Sequence, residues 1–384
     1  MLNSPKIAPY GSWKSPITSD LIVEGSVGLG QPSFDDDAIY WIEMRPKEGG
    51  RNVIVKRSAD GSCVDVNQPP FNSRTRVHEY GGGDYSVKQG IVCFSNFSDQ
   101  RLYRQDGPGA TPQALTAAGD VRYADSCMDQ MRGRLICVRE DHTTDGPEAV
   151  NSIVSVNLQP GENQGTVLVE GNDFYSTPRL SPDGTQLAWL TWNHPNMPWD
   201  GCELWVGEFA EDGTLSSTRW VAGGAAESIF QPEWSPDGVL YFASDSSGWW
   251  NLERITADGG IERVCQSKAE LGMPQWVFGM SSYAFASPGT IVCSHIDQGV
   301  STFATLDTGT GKLTPIDCPY TDIQYLRAAD GFVVFRGGSP TDVAAIVKFD
   351  LGTGQFEILR RSNDLETYPR YFSVPRAIEF STEG

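Results

Sequence analysis

The groups in this 384-residue chain with chemistry to offer are four histidines, 49 aspartates and glutamates, eight cysteines and 11 tryptophans. His78, His142, His194 and His295 stand far apart, with no second histidine two or four residues away, and H-E-x-x-H is missing. Their spacing therefore assigns no metal site. A nucleophilic serine of the hydrolase type needs G-x-S-x-G at a strained strand-to-helix turn. That pattern is absent, and Gly337-Gly338-Ser339-Pro340 does not replace it. Gly25-Ser26-Val27-Gly28-Leu29-Gly30 lacks the lysine of a phosphate loop. The residues by themselves show no catalytic centre and call for no cofactor.

The unusual segments are elsewhere. One runs from Arg74 to Gly83 and holds Arg76, His78, Glu79, Tyr80 and three consecutive glycines. Arg139-Glu140-Asp141-His142 continues to Glu148. His194 to Asp200 carries Trp199, Ser244 to Trp250 ends in Trp249-Trp250, and Gly272 to Gly279 carries Trp276. Taken singly, Trp199, Trp249 and Trp276 could plug gaps between sheets, and Glu79 with Arg76 could be an ordinary ion pair.

The elements that position these segments are legible as a repeat. Seven apolar triplets follow turns: Ile39-Tyr40-Trp41, Ile91-Val92-Cys93, Leu135-Ile136-Cys137, Leu187-Ala188-Trp189, Leu240-Tyr241-Phe242, Ile291-Val292-Cys293 and Val333-Val334-Phe335. They recur every 42 to 53 residues, a spacing that marks a radial repeat. Ser181-Pro182-Asp183-Gly184 and Ser235-Pro236-Asp237-Gly238 are tight-turn sequences joining a first strand to the triplet strand. Further Asp-Gly turns, such as Asp60-Gly61 and Asp212-Gly213, join a third strand to a fourth. Four short antiparallel strands repeated seven times predict an all-β, seven-bladed β-propeller. Strand direction then puts the second-to-third loops and the blade connections on one face. All the unusual segments fall there, so that face is expected to bind or dock something.

Net charge is −20 and the pI about 4.5, which disfavours nucleic acid and anionic lipid as partners. No stretch of about 18 apolar residues offers a membrane span, and Met1 to Lys6 has no signal-peptide core. The cysteines show no C-x-x-C spacing; Cys93, Cys137 and Cys293 occupy triplet positions and read as small buried hydrophobes. A reducing cytoplasm is expected.

The segments Arg74–Gly83, Arg139–His142, His194–Leu204, Pro274–Ser281 and Ser373–Phe380, in this order, resemble the N-terminal half of prolyl oligopeptidase family serine peptidases, in the dipeptidyl aminopeptidase and acylaminoacyl peptidase branch. The likeness runs from about Ala8 to the end. It implies a propeller that caps an α/β-hydrolase domain and admits short peptides. The expected division is an N-terminal segment 1–30, a propeller 31–361, and 362–384 as a linker and first strand of the hydrolase domain. With the chain stopping at Gly384, no triad residue is expected here and the chain alone should be inactive. The hydrolase domain would be joined in cis, as in relatives, or supplied by a separate chain. The resemblance also implies that Glu140, Asp141 and Glu148 meet the substrate's amino terminus. Arg76, His78, Glu79, Tyr80, His194, Trp199, Trp249, Trp250 and Trp276 are the expected docking face. A stand-alone peptide-binding propeller is the alternative, and an enzyme working in the central channel is a third reading.

Overall fold

The computed structural model describes residues 7–329, 331–364 and 371–382. Met1 to Lys6 and Gly384, to which parts of the sequence reading refer, lie outside them. Among the described residues are seven four-stranded antiparallel sheets, each built from consecutive strands. The blades span 28–65, 85–114, 121–170, 174–223, 229–263, 283–315 and 322–361. Every triplet lies on the second strand of its blade. The one α-helix among the described residues, Ser19–Val23, precedes the first blade.

The triplets explain why the sheets assemble. Successive strand residues point to opposite faces, so the outer two residues of a triplet meet one neighbouring blade and the middle one meets the other. Ile39 and Trp41 pack towards blade seven, while Tyr40 packs towards blade two. Leu187 and Trp189 face blade three, and Ala188 faces blade five. The result is seven hydrophobic clusters, one at each junction between blades. Blade two departs by one residue. There Val92 and Phe94 face blade one and Cys93 faces blade three, so its repeat unit is Val92-Cys93-Phe94. Its second strand starts at Ile91 directly after the Gln89-Gly90 turn, which shifts the pleat.

Among the described residues no sheet borrows a strand from its neighbour, so the ring is closed by side chains together with one backbone bond. Between blades one and seven, Leu29, Trp41 and Val53 pack on Val334 and Ile346. Arg360 pairs with the buried Glu43 at 2.8 Å, and Arg57 with Glu357 at 2.8 Å. The Val27 N–H donates to Ser362 C=O at 2.8 Å.

A second device recurs nearer the axis. In five inner strands the residue at a bulge has positive φ: Gln31, Asp125, Thr177, Gln231 and Tyr325. A bulge re-aims the side chain, at Gln31, Asp125 and Gln231 into the next blade. Gln31 accepts from Asp84 N–H, Asp125 accepts from Thr177 N–H, and Gln231 accepts from Ser282 N–H while donating to Tyr283 C=O. Tyr85 and Tyr283 return a bond, each hydroxyl donating at 2.7 Å to the carbonyl of Gln31 or Gln231.

These stitches carry measurable weight. Gln231→Ala leaves two buried backbone groups unpaired and is expected to cost about 2–4 kcal/mol in urea denaturation. Gln298→Ala, at another positive-φ position but without a side-chain bond of this kind, is the control. Equal losses in the two variants would contradict the stitch.

Candidate functional site

Two blade connections leave the rim and meet over the centre of the ring. Residues 74–84 join blades one and two, and 272–282 join blades five and six. Gly82 bridges to Phe278 in parallel, and Phe278 N–H donates to Gly81 C=O at 2.9 Å. Connections at non-adjacent junctions can touch only across the axis, so together they form a strap. It is tied down where Asp125 N–H donates to Gly83 C=O at 2.9 Å, and where Val77 and Phe278 enter the cluster between blades three and four.

The three glycines are the condition for this crossing. All have positive φ, and a Cβ would lie 2.4 Å from Thr75 O at Gly81, 2.5 Å from Phe278 O at Gly82 and 2.8 Å from Asp125 Cα at Gly83. The contacts at Gly81 and Gly82 are to backbone oxygen and that at Gly83 to a backbone carbon, so no side chain can turn aside to make room.

Above the strap, over blades three and four, lies a cavity of about 370 Å³. Its apolar lining is a set of rings. His78 meets Phe174, Trp192 and Phe278 at centroid distances of 5.1, 5.6 and 4.9 Å, and Trp199 meets Trp276 at 4.4 Å. Carboxylates of Glu79, Glu140, Glu148 and Asp173 also line it. His78 Nε2, Asn151 Oδ1 and Gln275 Oε1 are buried without a well-aligned hydrogen bond, His78 and Asn151 interacting only with each other, and all three residues line this cavity. Buried polar atoms so poorly satisfied are uncommon, and their grouping marks the space as one where a polar ligand or ordered water belongs.

The carboxylates differ in what they have left to give. Glu140 is buried and occupied: it accepts from His78 N–H at 2.7 Å and Arg122 Nη1 at 3.0 Å, and lies 2.6 Å from His142 Nε2. It holds the strap rather than facing solvent. Glu79 pairs with Arg122 at 2.8 Å, so its partner is not Arg76. Asp173 accepts from His194 N–H at 2.9 Å and sits 3.0 Å from its Nδ1. Those His194 contacts hold the Asp173 carboxyl below its usual range. Glu148 is exposed and accepts no hydrogen bond from the described residues.

Of the residues singled out from the sequence, Glu140, Glu148, His78, Glu79, Tyr80, His194, Trp199 and Trp276 all line this cavity. Four do not. Asp141 closes a turn by accepting from Thr143 N–H and Oγ1, and Arg76 lies over the Phe97 ring at 5.6 Å. Trp249 stands exposed on the loop of blade five, and Trp250 packs against the cluster between blades five and six. The sequence reading missed Asn151, Asp173, Phe174, Trp192 and Gln275. Phe174 and Trp192 are directly opposed across two strands of blade four, and both sit at strand ends on the loop face. That position was the available signal. Among the described residues no group of acidic, His and Cys side chains is placed to hold a metal ion.

No family model matches the chain, and no curated protein matches it. Solved structures do. A puromycin hydrolase aligns with TM-score 0.88 and 34% identity over 95% of this chain and 58% of its own. A Mycobacterium tuberculosis puromycin-hydrolysing peptidase aligns with TM-score 0.89 and 35% identity, over 96% of this chain and 59% of its own. Prolyl oligopeptidase B from Galerina marginata, at 13% identity and TM-score 0.64, shares the fold. The chain matches the β-propeller half of the prolyl oligopeptidase family. It spans under three-fifths of the length of the puromycin-hydrolysing relatives. In the full enzymes of the family such propellers are attached to a hydrolase domain.

Two expectations follow for this family propeller's strap. Gly82→Ala should destabilise the chain by about 3 kcal/mol or more. Gly248→Ala, also at positive φ but with open space around it, should cost distinctly less in the same urea titration. Similar costs would mean that the crossing tolerates a side chain.

The second concerns His78, whose pKa burial depresses to about 4. The folded chain then releases a proton that the unfolded chain keeps until about pH 6.5. This stabilisation is complete above about pH 6.5 and is lost as pH falls towards 4. Relative to His78→Phe, the native protein should lose about 3 kcal/mol between pH 7 and pH 4. Parallel stability–pH curves for the two proteins would show that His78 is not held neutral.

Proposed function

We propose that this propeller covers the active site of a serine hydrolase domain, in cis as in relatives, and selects substrates with a free amino terminus. The observation that carries the reading is the cavity on the loop face, with uncommitted carboxylate above an aromatic floor. An ammonium group is met by Glu148, Glu79 and Asp173 through charge-assisted hydrogen bonds, while Trp199, Trp276 and Phe174 take the apolar part of the first residue. An N-acylated substrate has no charge to offer these groups, so an aminopeptidase-like activity fits better than an acylaminoacyl one. A puromycin hydrolase variant has been solved in complex with PGG, a precedent for small ligands in a relative.

Placement of the ends supports the lid role. First strands begin and fourth strands end on the loop face, so Gly28 and Arg361 both emerge on the same face as the cavity, at the junction of blades one and seven. Tyr80 and Trp276 remain 61% and 53% exposed on this face, and Val374, Ile378 and Phe380 are exposed beyond blade seven. Exposed apolar area of this kind fits a covered surface better than the water-facing rim of a stand-alone binding module. Residues 371–382 contain no strand, and we take 362–384 as a connection that gains one only against another domain's sheet. Eight free thiols fit a reducing compartment such as the cytoplasm.

The test joins this propeller to the hydrolase domain of a puromycin-hydrolysing relative and follows aminoacyl p-nitroanilide cleavage. The propeller alone should show no turnover. In the joined protein, Glu148→Gln with Glu79→Gln should raise KM about tenfold with kcat little changed, the loss of one charge-assisted bond. An unchanged KM would remove the recognition role, and turnover by the propeller alone would remove the lid.

A further inference from the structure

Beneath the strap lies a second cavity, the central channel, of about 660 Å³. One end lies among Gln130, Met131, Pro182, Asp183 and Pro236 on the turn face, and the other reaches Gly83 and Gly279 of the strap. The strap thus stands between the channel and the loop-face cavity. Seven charged residues line the channel: Lys88, Asp129 and Asp183 stand at its turn-face mouth, and Asp125, Arg179, Glu233 and Arg327, from four different inner strands, lie deeper.

Their pairing is incomplete. Arg179 meets Asp125 at 3.0 Å. Arg327 donates to Ser281 Oγ and to the carbonyls of Leu326 and Gly279, at 3.0 and 2.9 Å for the carbonyls. Among the described residues no carboxylate forms an ion pair with it, and Glu233 accepts no hydrogen bond. Burial raises the Glu233 carboxyl above its usual range, with Arg179 and Arg327 opposing the rise. One cation without a carboxylate and one carboxylate without a donor therefore face the same space without touching.

That arrangement discriminates by charge. A simple anion would be repelled by Glu233 and Asp125, and a simple cation by both arginines. An apolar occupant would strand two desolvated charges, which is costly. A molecule with a carboxylate at one end and an ammonium at the other satisfies both. We propose that the channel is a binding pocket for a compact zwitterion, a free α-amino acid or dipeptide, its carboxylate on Arg327 and its ammonium on Glu233. The pocket is independent of the loop-face site and of the hydrolase domain.

Isothermal titration of the purified chain with Gly-Gly tests this, with Gly-Gly amide and N-acetyl-Gly-Gly as ligands lacking one charge each. The expected result is saturable binding of Gly-Gly and at least tenfold weaker binding of both analogues. Glu233→Gln and Arg327→Gln should each weaken Gly-Gly binding about tenfold or more. Glu148→Gln should change nothing, whereas a ligand held at the loop face needs only its ammonium and would bind as the amide. Absence of saturable heat up to about 10 mM, a range set by millimolar affinities, overturns the proposal. So does equal binding of the amide, or wild-type affinity in both charge variants. If a charge variant fails to fold, Ser126→Trp fills the channel and leaves the charges in place; undiminished binding there overturns the proposal as well.

Discussion

The structure depends on joining seven sheets that share no strand. The four strands of each blade pair only with one another, so nothing in the backbone ladders compels the ring to form. Cohesion comes from the apolar junctions, where a fully buried Phe or Leu contributes roughly 1.5–3 kcal/mol. It comes also from the bulge side chains that reach into the next blade. Hydrophobic packing alone lets two sheets slide. A Gln231 amide that must meet both Ser282 N–H and Tyr283 C=O does not. The bulges therefore set the angle and height of one blade against the next, and the diameter of the channel follows.

That fixed diameter lets the strap work. It spans two junctions on opposite sides of the ring, so its length is matched to the opening beneath it. The glycine run allows backbone to meet backbone at the centre, and the Glu140 carboxylate then holds His78 N–H and Arg122 together at its outer edge. A buried carboxylate with that many donors is a framing element. Its neighbour Glu148 stays exposed at the cavity and is the residue to which the proposed recognition role falls.

Much of this was legible in the residues. The triplets and Asp-Gly turns report local structure, and local structure repeated seven times determines the architecture. The one slip, at Ile91-Val92-Cys93, came from aligning by apolar character, which does not distinguish the two faces of a strand when both are buried. The loop face was also legible, because strand direction assigns every connection to a side. What was hidden was convergence. His78, His142 and His194 sit on three connections and show no spacing pattern, yet all line one cavity. Gly82 and Phe278 are almost two hundred residues apart, and only their contact reveals why Gly81-Gly82-Gly83 must be glycine. The inner-strand charges were equally mute. Arg179, Glu233 and Arg327 look like ordinary alternation until the ring turns them towards one axis.

The two cavities illustrate how one ring handles charge in two ways. At the loop face, carboxylates stand over aromatic rings near solvent, where a ligand's cation gains a partner without the whole site being desolvated. In the channel the charges are buried, of both signs and held apart, so the cost of burial has already been met by the fold. Stabilisation then awaits whatever closes the gap. The strap keeps these environments distinct. It crosses the axis between them, with Gly81 bordering the loop-face cavity and Gly83 and Gly279 bordering the channel. In the function proposed above, a domain resting on the loop face would control access by its own fit and movement against the rim, and the propeller would contribute selection by charge once the substrate is inside.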